Sequence, residues 1–195
     1  MVLPVIRAFI AIDLTQEIQE RLDQVSGQLK ERLKDTPIRW VPVENIHLTL
    51  KFLGNVSTTN LDMLIGIIQT VSSGYQPFEI SIGGLGAYPK LHRPRVIWVG
   101  IEAPQDLVMI QRSLETETAR LGYAREDRPF SPHLTLGRVS RNASSRDIRA
   151  TAEELAAFKV GFLGVVRVQS VHLYQSDLKP TGAVYKRLFS ATLGE

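Results

Sequence analysis

The chain has 195 residues, 44% of them hydrophobic, 22% charged and 7% aromatic, with a net charge of +3. That length and balance fit one full domain or two small lobes sharing a core, and no apolar run nears the roughly 18 residues of a membrane span. The absence of cysteine excludes disulfides, thiolate nucleophiles and cysteine-ligated zinc, and makes a cytoplasmic protein the simplest expectation.

The opening Met1-Val2-Leu3-Pro4-Val5-Ile6-Arg7 lacks the charged-then-apolar order of a secretion signal and reads as a first strand. Residues 5–14 are almost continuously apolar, as in a strand buried on both faces. Thr15 can cap a helix in which Ile18, Leu22, Val25, Leu29 and Leu33 recur at helical spacing, stopped by Asp35-Thr36-Pro37. Residues 38–43 read as a short strand, with Pro42 suggesting an edge. Ile46, Leu48, Leu50 and Phe52 then alternate with His47, Thr49 and Lys51, which places the two sets on opposite faces of a strand. Gly54-Asn55 ends that strand, and Ser57 can cap a helix carrying Leu61, Leu64, Ile65, Ile68 and Val71.

Residues 78–85 read as a strand and residues 86–94 as a Gly/Pro-rich basic loop. A strand follows over 96–101, and Pro104-Gln105-Asp106 opens a helix with Leu107, Ile110, Leu114 and Leu121 on one face. Pro132 precedes a strand that begins near His133. Ser144-Ser145 can cap a helix with Ile148, Ala152 and Leu155. Residues 164–175 read as one long strand and 183–192 as the last. The order β-α-β-β-α-β-β-α-β-α-β-β argues for an α+β fold with antiparallel sheets, since several strands follow one another without an intervening helix. Basic residues gather at Lys90 to Arg95, at Arg138 to Arg149 and at Lys179, Lys186 and Arg187. They suit solvated loops and are compatible with a phosphate-bearing partner.

The chain has only four histidines, and two occupy identical tetrapeptides, His47-Leu48-Thr49-Leu50 and His133-Leu134-Thr135-Leu136. On a strand, His and Thr two apart point the same way and both leucines point opposite. Two such strands side by side would bring two imidazoles and two hydroxyls to one cleft. An imidazole titrating near its ordinary value of about 6.5 can give or take a proton at neutral pH. One can activate water while the other protonates a departing oxygen, which suits metal-free hydrolysis of a phosphodiester. The threonine hydroxyls can hydrogen-bond the non-bridging phosphate oxygens. Other chemistries lack their parts. There is no His-Glu-x-x-His, neither tetrapeptide has an adjacent carboxylate, no Walker-type phosphate loop occurs, and Ser131 lacks a nucleophile-elbow context.

These motifs resemble those of the two-histidine (2H) phosphoesterase superfamily, and most closely its RNA 2′,3′-cyclic phosphodiesterases, long called 2′-5′ RNA ligases. Arg7-Ala8-Phe9-Ile10-Ala11-Ile12-Asp13 is similar to the family's opening strand, and residues 45–54 to its first motif. Val96-Ile97-Trp98-Val99-Gly100 resembles its central strand and residues 128–138 its second motif. Leu173-Tyr174-Gln175-Ser176 with Pro180-Thr181-Gly182 resembles its C-terminal signature. The resemblance implies an α+β, bilobal fold: two pseudo-twofold-related lobes of antiparallel sheet with flanking helices, and an active cleft between them. Residues 1–195 would form a single bilobal 2H phosphoesterase domain.

The implied reaction opens a 2′,3′-cyclic phosphate at an RNA 3′ end to a 2′-phosphomonoester, without metal or other cofactor. ATP-independent 2′-5′ ligation is the related reaction with an RNA hydroxyl. By motif order His47 is the proton donor and His133 the proton acceptor, with Thr49 and Thr135 holding the phosphate. Arg138 is a further candidate phosphate contact. Strict alternation turns it to the leucine face, unless a bulge or strand end at Gly137 returns it. Phe9 and Tyr185 are candidates for stacking on a base, with core packing the expected role of Phe9. His92 and His172 are expected to be incidental. The implied partner is RNA ending in a cyclic phosphate, such as a tRNA half, bound by a monomer with no membrane association. The alternatives are a 2H phosphoesterase acting on another small cyclic or 2′-5′ phosphodiester, and a non-catalytic RNA- or nucleotide-binding module.

Overall fold

A computed structural model describes residues 4–180 and 182–195. The first three residues of the opening run, and Thr181 of the C-terminal signature, lie outside the described residues. The opening apolar run forms β1 (Val5–Ile12), and Thr15 caps α1 (Gln16–Arg32) by accepting from the Ile18 N–H. The short strand β2 (Ile38–Trp40) lies at a sheet edge, as Pro42 suggested, with a 3₁₀ turn over Val43–Asn45. Then come β3 (Leu48–Ser57), α2 (Leu61–Ser73), β4 (Phe78–Lys90), β5 (Arg93–Glu102), α3 (Gln105–Arg120) and β6 (His133–Val139). The chain ends with α4 (Ser145–Ala157), β7 (Phe162–Val168), β8 (Ser170–Lys179) and β9 (Gly182–Thr192). At α4, Ser144 and Asp147 form a reciprocal capping box. Ser57 caps only a 3₁₀ turn over Thr58–Asn60, one turn ahead of α2.

The described strands form two antiparallel sheets, ordered β3-β1-β8-β9 and β2-β6-β5-β4-β7. The helices are exchanged between them. α1 leaves the first sheet and packs on β7 of the second, whereas α3 leaves the second and packs on β3 of the first. α2 lies against β8, β9 and α3, and α4 against β5. Ile10, Leu22, Leu64, Ile82, Ile97 and Leu107 belong to one continuous buried cluster reaching through both sheets. Fully burying each such side chain contributes about 1.5–3 kcal/mol, so the shared core is what joins the lobes.

Three expectations are corrected. Residues 86–94 are not a loop: they continue β4 and begin β5, turning at Leu91-His92. Gly86 is a breaker in the sequence but a seat in the fold, because a Cβ there would lie 2.2 Å from two carbons of the Trp98 indole on the next strand. The run over 164–175 is two strands. β7 pairs with β4 and β8 with β1, so the apolar chain changes sheet at Gln169.

The third correction concerns the faces of β3. Thr49 pairs with Ala11 and Lys51 with Ile10, which leaves Leu50 as an extra residue and inverts the alternation beyond it. Lys51 is therefore buried with its Nζ 2.6 Å from Glu115, while Phe52 is 67% exposed. A second shift at Leu53, beside Gly54 with φ +72°, lets the strand run on to Ser57.

Gly86→Ala is expected to destabilise the protein by about 1–3 kcal/mol, as overpacking does. Urea unfolding will register the loss, and the displaced indole will change tryptophan emission.

Candidate functional site

The two sheets approach each other at β3 and β6, the strands that carry the repeated tetrapeptides. His47 immediately precedes β3 and His133 opens β6. In each repeat the buried leucines, Leu48 and Leu50 or Leu134 and Leu136, anchor the strand in the core. Thr49 and Thr135 remain half-buried on the opposite face. Each imidazole is held in the same way. His47 Nδ1 lies 2.9 Å from the Asn45 carbonyl oxygen, and His133 Nδ1 lies 2.7 Å from that of Ser131. A carbonyl only accepts, so Nδ1 carries the hydrogen and Nε2 is the nitrogen free to exchange a proton.

Aromatic rings fix both imidazole planes. Phe9 stacks on His47 at 4.6 Å between centroids, and Tyr185 meets it edge-on at 5.2 Å. Tyr88 meets His133 edge-on at 5.0 Å, with Trp98 6.2 Å away and the Tyr88 hydroxyl bonded to Ser131 Oγ. Phe9 is buried, yet it packs against His47, Tyr174 and Tyr185 instead of joining the main core. Its role is to support the site's aromatic wall.

Arg138 faces the site. Thr135 pairs with Trp98 and Gly137 with Ile97, so Leu136 is the extra residue, matching Leu50 in the first repeat. The bulge lies one residue before the glycine expected to permit it, and it returns Arg138 to the His133 side. Phe52 is brought to the corresponding place on β3.

Burial is the main influence on both imidazoles. It pushes His47 down to about 4, against the hydrogen bond to Asn45 and the negative charge of Asp13, which both pull upward. Burial also lowers His133, where the Ser131 hydrogen bond opposes it and the charge of Arg138 adds to it. Both rings are therefore neutral at pH 7 in the free protein, and a carboxylate favours the charged form at one while a guanidinium disfavours it at the other.

Asp13 is a residue the sequence reading missed. It accepts from the Tyr174 hydroxyl at 2.8 Å and from the Arg187 guanidinium, and Arg187 Nε also donates to the Tyr174 oxygen at 3.1 Å. His172 is buried, its Nδ1 lies 2.8 Å from Ser190 Oγ, and its Nε2 lies 3.7 Å from Asp13. His92 is exposed at the β4–β5 turn. The signal for Asp13 was its place closing the first apolar strand; its partners lie more than 150 residues further along. A cavity of about 550 Å³ opens beside His47, lined by Asp13, Asn45, Tyr174, Tyr185 and Arg187 among others. His133 is not among the residues that line this cavity.

Comparison with known proteins gives a consistent result. The family model described as LigT like Phosphoesterase matches twice, over residues 12–98 and 99–185. An RNA 2′,3′-cyclic phosphodiesterase of Methanothermobacter thermautotrophicus is 36% identical, over 92% of this chain and 95% of its own. One from Archaeoglobus fulgidus is 34% identical, over 93% and 97%. The crystal structure of Escherichia coli LigT complexed with 3′-AMP superposes with a TM-score of 0.77 at 28% identity, covering 98% of this chain and 100% of that one.

The depressed imidazoles link folding to acid. A histidine lowered in the folded state stabilises the protein above the unfolded value near 6.5, and that contribution is lost as pH falls from there toward about 4. The urea midpoint is expected to drop over this window, and His47→Gln should drop less than wild type. An equal drop would show that His47 is not buried as a neutral ring.

Proposed function

Because this chain belongs to the LigT-like phosphoesterase family, we propose that it hydrolyses 2′,3′-cyclic phosphate ends of RNA to 2′-phosphomonoesters by paired-histidine acid–base catalysis. The observation that carries the reading is the twofold repetition of one arrangement: an imidazole pinned through Nδ1 to a backbone carbonyl, with Nε2 free and a threonine two residues on. Binding alone needs no pair of proton-transfer groups, so the arrangement favours catalysis over a mere binding module.

In this mechanism Nε2 of neutral His133 takes a proton from water as the water oxygen bonds to phosphorus. The bond from phosphorus to the ribose 3′-oxygen breaks, and protonated His47 delivers its proton to that oxygen. Thr49 and Thr135 donate to the non-bridging oxygens, and Arg138 offsets their charge. The histidines finish with exchanged protonation and reset through solvent. Burial disfavours an imidazolium at both rings; of the nearby charges, Asp13 opposes that effect at His47 and Arg138 reinforces it at His133. The incoming phosphodiester anion adds to the pull that protonates His47. With an RNA 5′-hydroxyl in place of water, the same transfers join two RNA ends through a 2′-5′ linkage without ATP.

One chain supplies both motifs and one core joins its lobes, which supports a single bilobal domain acting as a monomer. The cysteine-free composition suits the cytoplasm, where tRNA halves ending in cyclic phosphate would be suitable substrates.

The test is product analysis on an oligonucleotide ending in 2′,3′-cyclic phosphate. Wild type should yield the 2′-phosphomonoester at undiminished rate in excess EDTA. His47→Ala and His133→Ala should each lose about 10²–10⁴-fold in kcat while keeping the native circular dichroism spectrum. Full activity in either variant would remove that histidine from the mechanism.

A further inference from the structure

Three arginines around the site have no carboxylate partner among the ion pairs of the described residues: Arg7, Arg39 and Arg138. Arg187, by contrast, is paired with Asp13. Arg39 of β2 is the register partner of Arg138 of β6. Directly opposed residues of an antiparallel pair project from the same face with Cα atoms about 5 Å apart, and like charges in that relation are destabilising. Two exposed guanidiniums are thus held side by side at a cost that bound anions would remove.

Arg7 completes the group from the other sheet. It lies two residues before Phe9 on β1, whose own alternation is unbroken, so it shares the face on which Phe9 stacks against His47. Arg39 reaches the same region from the opposite side, since its Nη2 is 3.9 Å from where a Cβ at Gly182 of β9 would lie. The charges of Arg138, Arg39 and Arg7 all act on the hydroxyl of Tyr185, opposing the rise that burial imposes. Tyr185 in turn touches Phe9 and His47, so the three arginines border the site from both sheets.

A cyclic phosphodiester carries one negative charge, which Arg138 and the two threonines already answer. Two further cations make sense if the ligand carries further phosphates. We propose that Arg39 and Arg7 bind backbone phosphates of the RNA strand upstream of its cyclic end, so that the site selects a chain terminus over a cyclic mononucleotide. This rests on the reading given under Proposed function and adds to it a subsite for the strand upstream of the cyclic end.

The test compares wild type with Arg7→Gln/Arg39→Gln on two substrates, a 2′,3′-cyclic mononucleotide and a short oligonucleotide ending in 2′,3′-cyclic phosphate. The double variant should lose about 10-fold or more in kcat/KM on the oligonucleotide, mainly through KM, as removal of charge-assisted hydrogen bonds does. Turnover of the mononucleotide should stay at the wild-type level. The slope of log KM against log salt for the oligonucleotide should become shallower by about 0.7 for each phosphate that is no longer neutralised. Equal losses on both substrates, or none on the oligonucleotide, would overturn the proposal. Should wild type turn over neither substrate, the functional reading fails by itself. Fluorescence anisotropy with a labelled single-stranded RNA then decides on the arginines: weaker binding and a shallower salt slope in the double variant support them, and unchanged binding overturns them.

Discussion

Leu50 in β3 and Leu136 in β6, the fourth residues of the two repeated tetrapeptides, have no register partner on β1 or β5. An unbroken strand would keep the period of two and turn every later side chain accordingly. The extra residue lets a strand bury both leucines of its tetrapeptide and then change parity. Lys51 goes inward to Glu115, while Phe52 and Arg138 come to the side bearing the histidines and threonines. The face that bears the histidines and threonines is therefore longer than a His-x-Thr pair. It depends on a backbone irregularity that occurs at the same point in both halves.

The frame is close to twofold, and its electrostatics are not. Each imidazole is pinned by a carbonyl two residues before it and walled by aromatic rings, so burial lowers both. The difference between them comes from residues outside the repeats' shared pattern. His47 feels Asp13, which sits in a network with Tyr174, Arg187 and His172, and His133 feels Arg138. Two similar units thus differ in the charges that act on their imidazoles. The same balance leaves positive charge at Arg7, Arg39 and Arg138 along one border of the site, where no carboxylate among the described residues neutralises it.

Exchange of helices keeps the two units in register. α1 covers the sheet its preceding strand does not belong to, and α3 does the same in reverse. Separating the lobes would expose apolar surface on both, since one buried cluster continues through them. The proposed paired-histidine catalysis needs that rigidity, because each nitrogen must stay within hydrogen-bond reach of its own oxygen, the attacking water or the leaving group, at one phosphorus.

The sequence by itself determined the features that are local. Thr15 and Ser144 cap helices through bonds to residues three further on, and such spacing is visible in any chain. The recurrence of His-Leu-Thr-Leu singled out two histidines and two threonines as one repeated pattern, and the surrounding motifs pointed to the family. Tertiary structure alone decided which way Lys51, Phe52 and Arg138 face, because a bulge is set by the pairing of two strands and alternation reports only one. It also decided that Gly86 belongs to a strand, where it makes room for Trp98 on the neighbouring strand. The apolar run broken at Gln169 looks continuous until its halves are seen to join different sheets. Asp13 and Arg187 are 174 residues apart, and only folding pairs their charges in the cavity beside His47.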